Sequence, residues 1–132
     1  MNLAPLLAAP WLVQVHVAAA LIAFVLGIVQ FLRPKGDARH RLLGWIWVLV
    51  LAAVALSSFG IMEVAGPGRL SWLHGLSAYT LFGLIGGVIQ ARKGWVKAHR
   101  NSMIGLFLGA MVITGVFAFT PGRLMGHVVF GW

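Results

Sequence analysis

Five histidines are the residues of this chain with chemistry to offer: His16, His40, His74, His99 and His127. There is no cysteine, which removes disulfides, thiolate metal sites, iron–sulfur clusters and covalently attached c-type haem. Neutral imidazole is then the one strong ligand left, and it suits haem iron, zinc or copper. The spacing is regular. His16 precedes His40 by 24 residues, and His74 precedes His99 by 25. No nucleophile with its base, no phosphate-binding loop and no paired carboxylates accompany them, so hydrolase and transferase chemistry find no support.

The elements that position these histidines are used twice. The stretch KGDARHRLLG, residues 35–44, returns as KGWVKAHRNSMIG, residues 93–105. Upstream, VHVAAALIAFVLGIVQ and LHGLSAYTLFGLIGGVIQ each begin near a histidine and end in glutamine, Gln30 and Gln90. The chain reads as a single membrane domain over 1–132. Repeat one runs from about 10 to 62, repeat two from about 67 to 120, and an interfacial tail covers 121–132. Such internal repeats fix an architecture before any motif is read.

The chain is 61% hydrophobic and 9% charged, whereas soluble domains carry roughly 25% charged residues. Four runs lack Asp, Glu, Lys and Arg: Trp11–Leu32, Leu43–Met62, Leu70–Ile89 and Met103–Thr120. As helices each is long enough to cross hydrocarbon about 30 Å thick, and none alternates as barrel strands do. The expectation is an all-α integral membrane protein, a four-transmembrane-helix bundle built from two tandem helical hairpins. Pro5, Pro10, Pro34, Pro67 and Pro121 all fall at proposed ends, where a helix breaker belongs. Trp11, Trp72 and Trp132 would mark one interface, and Trp45, Trp47 and Trp95 the other.

The net charge of +8 is too unevenly placed for a nucleic-acid surface. Arg33, Lys35, Arg39 and Arg41 crowd the first turn, and Arg92, Lys93, Lys97 and Arg100 the third; Arg69 and Arg123 are left on the other side. The positive-inside rule then puts both basic turns in the cytoplasm and both termini in the periplasm or outside, with the chain in the inner (plasma) membrane. No positive charge precedes the first run, which is therefore read as a span and not as a cleaved signal peptide.

Each span offers one face. The first aligns His16, Ala19, Ala20, Ala23, Gly27 and Gln30; the second His40, Gly44, Trp47, Leu51, Val54 and Ser58. The third aligns His74, Ser77, Ala78, Leu81, Ile85 and Val88, with Gly83, Gly86 and Gly87 on a separate contact stripe. The fourth aligns His99, Ser102, Leu106, Ala110 and Ile113. Small residues inward of His16 let helices close up, or leave room for a flat cofactor. A histidine within a bilayer is a functional candidate by default. His16 and His74 share the outer level and His40 and His99 the inner one, so two pairs face across a bundle, each able to hold a haem b, one or two in all. Arg41 and Arg100 at the inner level, and Arg69 and Arg123 at the outer, could take haem propionates.

The alternation of histidine levels on four helices is similar to the di-haem core of the ascorbate-reducible cytochrome b superfamily. There the first and third core helices hold one haem and the second and fourth the other, which implies His16 with His74 and His40 with His99. The chain departs from that core in its shorter helices and in placing His40 and His99 beside the basic turns, which ranks the outer pair first. It also resembles a bacterial family of small four-helix predicted membrane proteins of unassigned function, through HR-x-x-G at His40–Gly44, SSF at Ser57–Phe59, the second HR at His99–Arg100 and PGR-x-M at Pro121–Met125.

The reading is a membrane electron carrier or haem-dependent oxidoreductase that exchanges electrons with quinol or a small reductant. Its surroundings are the lipid bilayer, no nucleic acid, and an oligomeric state left open. Two alternatives stand beside it. The tail could bring His127 to the level of His16 and His74, giving an outer zinc or copper site. Or the histidines could be satisfied by Ser, Gln or carbonyl partners in a structural subunit without cofactor. A proton-coupled transporter lacks the acidic residue within a span that it would need, since Asp37 and Glu63 lie in connections.

Overall fold

The computed structural model describes residues 1–65 and 72–131; Arg69, the GPG turn and Trp132 lie outside the described residues, as do the side chains of Glu63 and Trp72. A short helix, α1, covers Ala4–Leu7. Pro10 then opens α2, Trp11–Leu32, which stops at an extended Arg33. Both bounds agree with the apolar run, because a proline stands just outside each end.

The next helix starts earlier than its apolar run. It is α3, Ala38–Ala65, and its start is set by Asp37, whose Oδ1 accepts the His40 backbone N–H at 2.7 Å. A carboxylate on that N–H satisfies an otherwise orphaned donor of the first turn. His40 and Arg41 are thus helical, not loop, residues. After it come α4, Trp72–Arg92, and α5, Val96–Ala118, and His99 likewise sits in the first turn of α5. In the two basic turns, Gly36 and Gly94 hold φ of 92° and 75°, a left-handed backbone that side chains with Cβ resist. The tail forms α6, Leu124–Phe130, which packs on α1, where the Asn2 N–H donates to the Val128 carbonyl at 2.8 Å.

In space α2 packs on α3, α3 on α4 and α4 on α5, while the middle of α5 returns to touch α2. The four long helices therefore form a ring in which α2 and α4 are diagonal, and so are α3 and α5. Among the described residues, three helices are long and apolar enough to cross a membrane: Trp11–Leu32, Ala38–Ile61 and Val96–Ala118. The protein is all-helical and built for a bilayer. Its outer surface is correspondingly rich in exposed Leu, Ile, Val and Phe, so association inside rests on close packing and polar ties.

The centre of the bundle is closed. Ala23, Trp47, Leu51, Leu84, Leu106 and Met111 form one buried cluster. Gly27 faces it, and a methyl group there would come within 2.5 Å of the Phe107 ring and 3.2 Å of Trp47 Nε1. The small residues of α2 leave no slot at this depth, because Trp47 and Phe107 fill it. Trp47 is not an interfacial belt residue. It is buried, and its Nε1 donates to the Ala23 carbonyl at 3.0 Å.

Two faces differ from the 3.6-residue reading. In α4 the buried positions are Ser77, Thr80, Leu84 and Gly87, and Ile85 is 59% exposed. The glycine stripe took the interior: Gly83 lies against Leu106 and Gly87 against the Met103 methyl. In α5 the segment Phe107–Ile113 is wound as a π-helix. The Thr114 hydroxyl there donates five residues back, to the Gly109 carbonyl at 3.2 Å. The wider turn rotates everything beyond it, so Met111 is buried while Ile113 is 59% exposed. Wide turns of this kind recur at functional sites.

Candidate functional site

Both ends of the bundle hold histidines, and the inner end draws them together. His40 at the start of α3 and His99 at the start of α5 cross the ring diagonally. Their centroids are 6.4 Å apart and their planes stand at 86°; both side chains are half-buried. His99 Nδ1 lies 2.8 Å from the Gly87 carbonyl. A carbonyl only accepts, so Nδ1 carries the proton and the lone pair rests on Nε2. His99 is thereby oriented and tautomerically fixed in the way metal-bound histidines usually are.

Around this pair, polar atoms are left over. Gln30 Nε2 donates to the His40 carbonyl at 2.7 Å, tying the end of α2 to the start of α3. Yet Gln30 Oε1, Arg33 Nε and His40 Nδ1 are buried without a hydrogen-bond partner. In the second hairpin the matching glutamine is satisfied, since the Ser102 hydroxyl donates to Gln90 Oε1 at 2.8 Å. Three orphaned polar atoms at one end of a bundle call for partners, because each costs on the order of 1–3 kcal/mol unpaired.

The basic side chains share this end. Arg92 stacks over Trp45 at 5.8 Å and Lys93 over Trp95 at 4.8 Å. Arg41 and Arg100 are exposed, at the rim beyond the two histidines. Lys35 Nζ folds back onto the carbonyls of Phe31 and Arg33, at 3.0 and 3.1 Å. Arg33, half-buried, is the cation of this turn whose donor group is shielded.

At the outer end each histidine is held by α3. His16 Nδ1 is 2.7 Å from Ser57 Oγ, and Ser57 in turn donates to the Val54 carbonyl at 2.9 Å. The serine's one proton is spent on Val54, so His16 donates. His74 on α4 lies against Phe59, ring centroids 5.8 Å apart. Ser58 joins α3 to α4 through Ser77. His16 on α2 and His74 on α4 thus both contact α3, from opposite sides of it.

His127 is exposed on α6, and among the described residues no three histidines or acidic residues come together as a metal-holding group. Arg123, also exposed, covers the Phe117 ring at 4.2 Å. An open apolar groove of about 410 Å³ runs between α2 and α3, lined by residues such as Val15, Ala19, Val50 and Ala53.

The ring separation of the inner pair is compatible with a shared metal. Two imidazoles bound to one ion through nitrogens at about 2 Å each have ring centres roughly 6 Å apart, which is the separation seen. Sequence reasoning had paired His40 with His99 by symmetry, and ranked that pair second. It gave no role to Gln30, Arg33 or Gly87; the repeat-matched glutamines were the signal for the first of these.

A family described as predicted membrane proteins (DUF2306) matches residues 13–130. No curated protein matches the chain, and no solved structure does.

Proposed function

The chain belongs to that family of predicted membrane proteins, and from this premise we propose that it is a membrane electron carrier whose inner histidines, His40 and His99, hold one non-covalent b-type haem. The observation that carries the reading is the crossed pair at 6.4 Å, with His99 already presenting a bare Nε2. Bound there, a haem supplies a one-electron iron couple. His40 and His99, each on a separate helix, would hold it, and so would also tie α3 to α5 across the diagonal.

The depth suits the cofactor's polarity. Held at the start of α3 and α5, a haem would have Arg41 and Arg100, both exposed, and the shielded N–H of Arg33 available for its propionates, with the closed apolar centre beyond it. Electrons are exchanged with quinol or a small reductant; the basic rim favours an anionic one.

Around this site the reading is a four-span bundle of two like hairpins in the inner membrane. At 21 residues, α4 rises about 31 Å, and its ends meet those of α3 through Trp45–Arg92 and Phe59–His74. In both hairpins a glutamine near the end of the first helix bonds the first turns of the second. The clustering of basic residues supports a cytoplasmic position for that end. A reporter inserted at Gly36 should read cytoplasmic and one after Gly131 external; the reverse overturns the sidedness.

The test of function is optical. Protein purified after expression with added haem should show a Soret band that shifts on reduction, at one haem per chain. His40→Ala and His99→Ala should each remove at least nine-tenths of it. A colourless wild-type protein sinks the proposal, and stoichiometric zinc or copper in its place would establish the metal reading.

A further inference from the structure

The two histidines of the inner pair are not equally prepared. His99 donates Nδ1–H to the Gly87 carbonyl, which leaves Nε2 free to ligate. His40 has a buried Nδ1 with no partner. Beside it, Gln30 has a buried Oε1 with no partner. These two orphans are complementary in the tautomer that carries its proton on Nδ1: a ring N–H then lacks an acceptor and an amide oxygen lacks a donor.

They are also neighbours. Gln30 Nε2 is bonded to the backbone carbonyl of His40 itself at 2.7 Å, and covalent geometry holds Oε1 next to Nε2. The amide cannot simply turn over, since that would face its oxygen against a carbonyl oxygen. Oε1 is thereby fixed as an acceptor at the base of the His40 side chain. Joining the two orphans takes a rotation about the His40 side-chain bonds from the rotamer that sets the 6.4 Å ring separation, and it removes both burial costs at once.

We propose that Gln30 is the positioning residue for His40: its Oε1 accepts the Nδ1–H of the imidazole and so fixes Nε2 as the ligating nitrogen, as the Gly87 carbonyl does for His99. The proposal rests on the haem reading of the inner pair. One glutamine would then do two jobs, binding the start of α3 to α2 through Nε2 and orienting the ligand on that same turn through Oε1. Hydrogen bonding of a ligand's second nitrogen raises its basicity, and loss of such a partner commonly lowers metal affinity by about 10–100-fold.

The test uses the full-length protein and two replacements that both lose the Nε2 tie to the His40 carbonyl. Gln30→Leu also loses the acceptor, so haem affinity should fall about tenfold or more, and the reduction potential should rise, because a less basic imidazole stabilises ferric iron less. Gln30→Glu supplies a stronger acceptor; it should retain haem better than Gln30→Leu and shift the potential below that of wild type. Opposite shifts support positioning. If the two variants share one potential, Gln30 is only a helix tie and the proposal fails.

The wild-type protein gives a second reading that does not depend on either variant folding. The Nδ1 proton of His40 should be visible by NMR in the haem-bound protein and slow to exchange with deuterium. Fast exchange of that proton, while the His99 proton is protected, overturns the proposal. A wild-type protein that binds no haem defeats the functional reading itself, and so the two failures are told apart.

Discussion

At the inner end of the bundle, His40 and His99 reach across a diagonal, with His40 Nδ1 unpaired; at the outer end, His16 and His74 each lean on α3, against Ser57 and Phe59. The sequence makes the two pairs look alike, since they arise from the same repeat. What separates them is the neighbour. Ser57 gives His16 an acceptor with a short bond, so the outer polar group is quiet. Gln30 gives His40 only a bond to its backbone, so the inner ring remains unsatisfied. An ionisable side chain within a bilayer is a functional candidate when paired as well as when unpaired, and His16 on Ser57 matches His99 on Gly87; the unpaired His40 is what sets the inner end apart.

Between the ends lies the closed centre, and the largest expected effect comes from opening it. In a helix, Gly→Ala normally gains up to about 1 kcal/mol from backbone propensity. At Gly27 the new methyl would sit 2.5 Å from the Phe107 ring edge, and Phe107 is itself held between Phe24 and Phe31, at 5.7 and 5.1 Å. Gly27→Ala should therefore destabilise the protein by about 1–3 kcal/mol, seen as a lower melting temperature in detergent. Phe107→Leu in the same chain should recover part of the loss. A higher melting temperature for Gly27→Ala would mean that the centre is loose and that the two ends are not separated by a packed waist.

How far the sequence could reach follows from which forces act locally. The bounds of α2 were legible because Pro10 and Pro34 bracket it. The start of α3 was not, because Asp37 captures the His40 N–H and extends the helix ahead of its apolar run. Depth was legible too: the repeat puts His40 level with His99. Lateral position was not, since matched depth says nothing about whether two side chains meet across a ring of four helices. The small-residue face of α2 read equally as close packing or as room for a cofactor, and the ring that decides for packing at Gly27 comes from Phe107, eighty positions later. The inward face of α5 was misjudged at Ile113 because no residue pattern announced the π-turn that rotates it outward.

The smallest effect is the sharpest test of the comparison. His16→Ala deletes one interhelical hydrogen bond, and such bonds within membranes average about 0.6 kcal/mol, with a maximum near 1.7. Ser57 loses little, because its own proton already goes to the Val54 carbonyl at 2.9 Å. What remains unpaired is an acceptor lone pair, which is cheaper to strand than a donor. Melting of His16→Ala should fall by a degree or two at most, with the Soret band and reduction potential of wild type. His74→Ala should likewise keep the band, since its ring packs on Phe59 of α3. If instead His16→Ala and His74→Ala bleach the protein while His40→Ala leaves it coloured, the outer pair is the haem site. The quiet hydrogen bond to Ser57 would then be the orienting bond of a ligand, and the unsatisfied atoms of the inner end would need another partner.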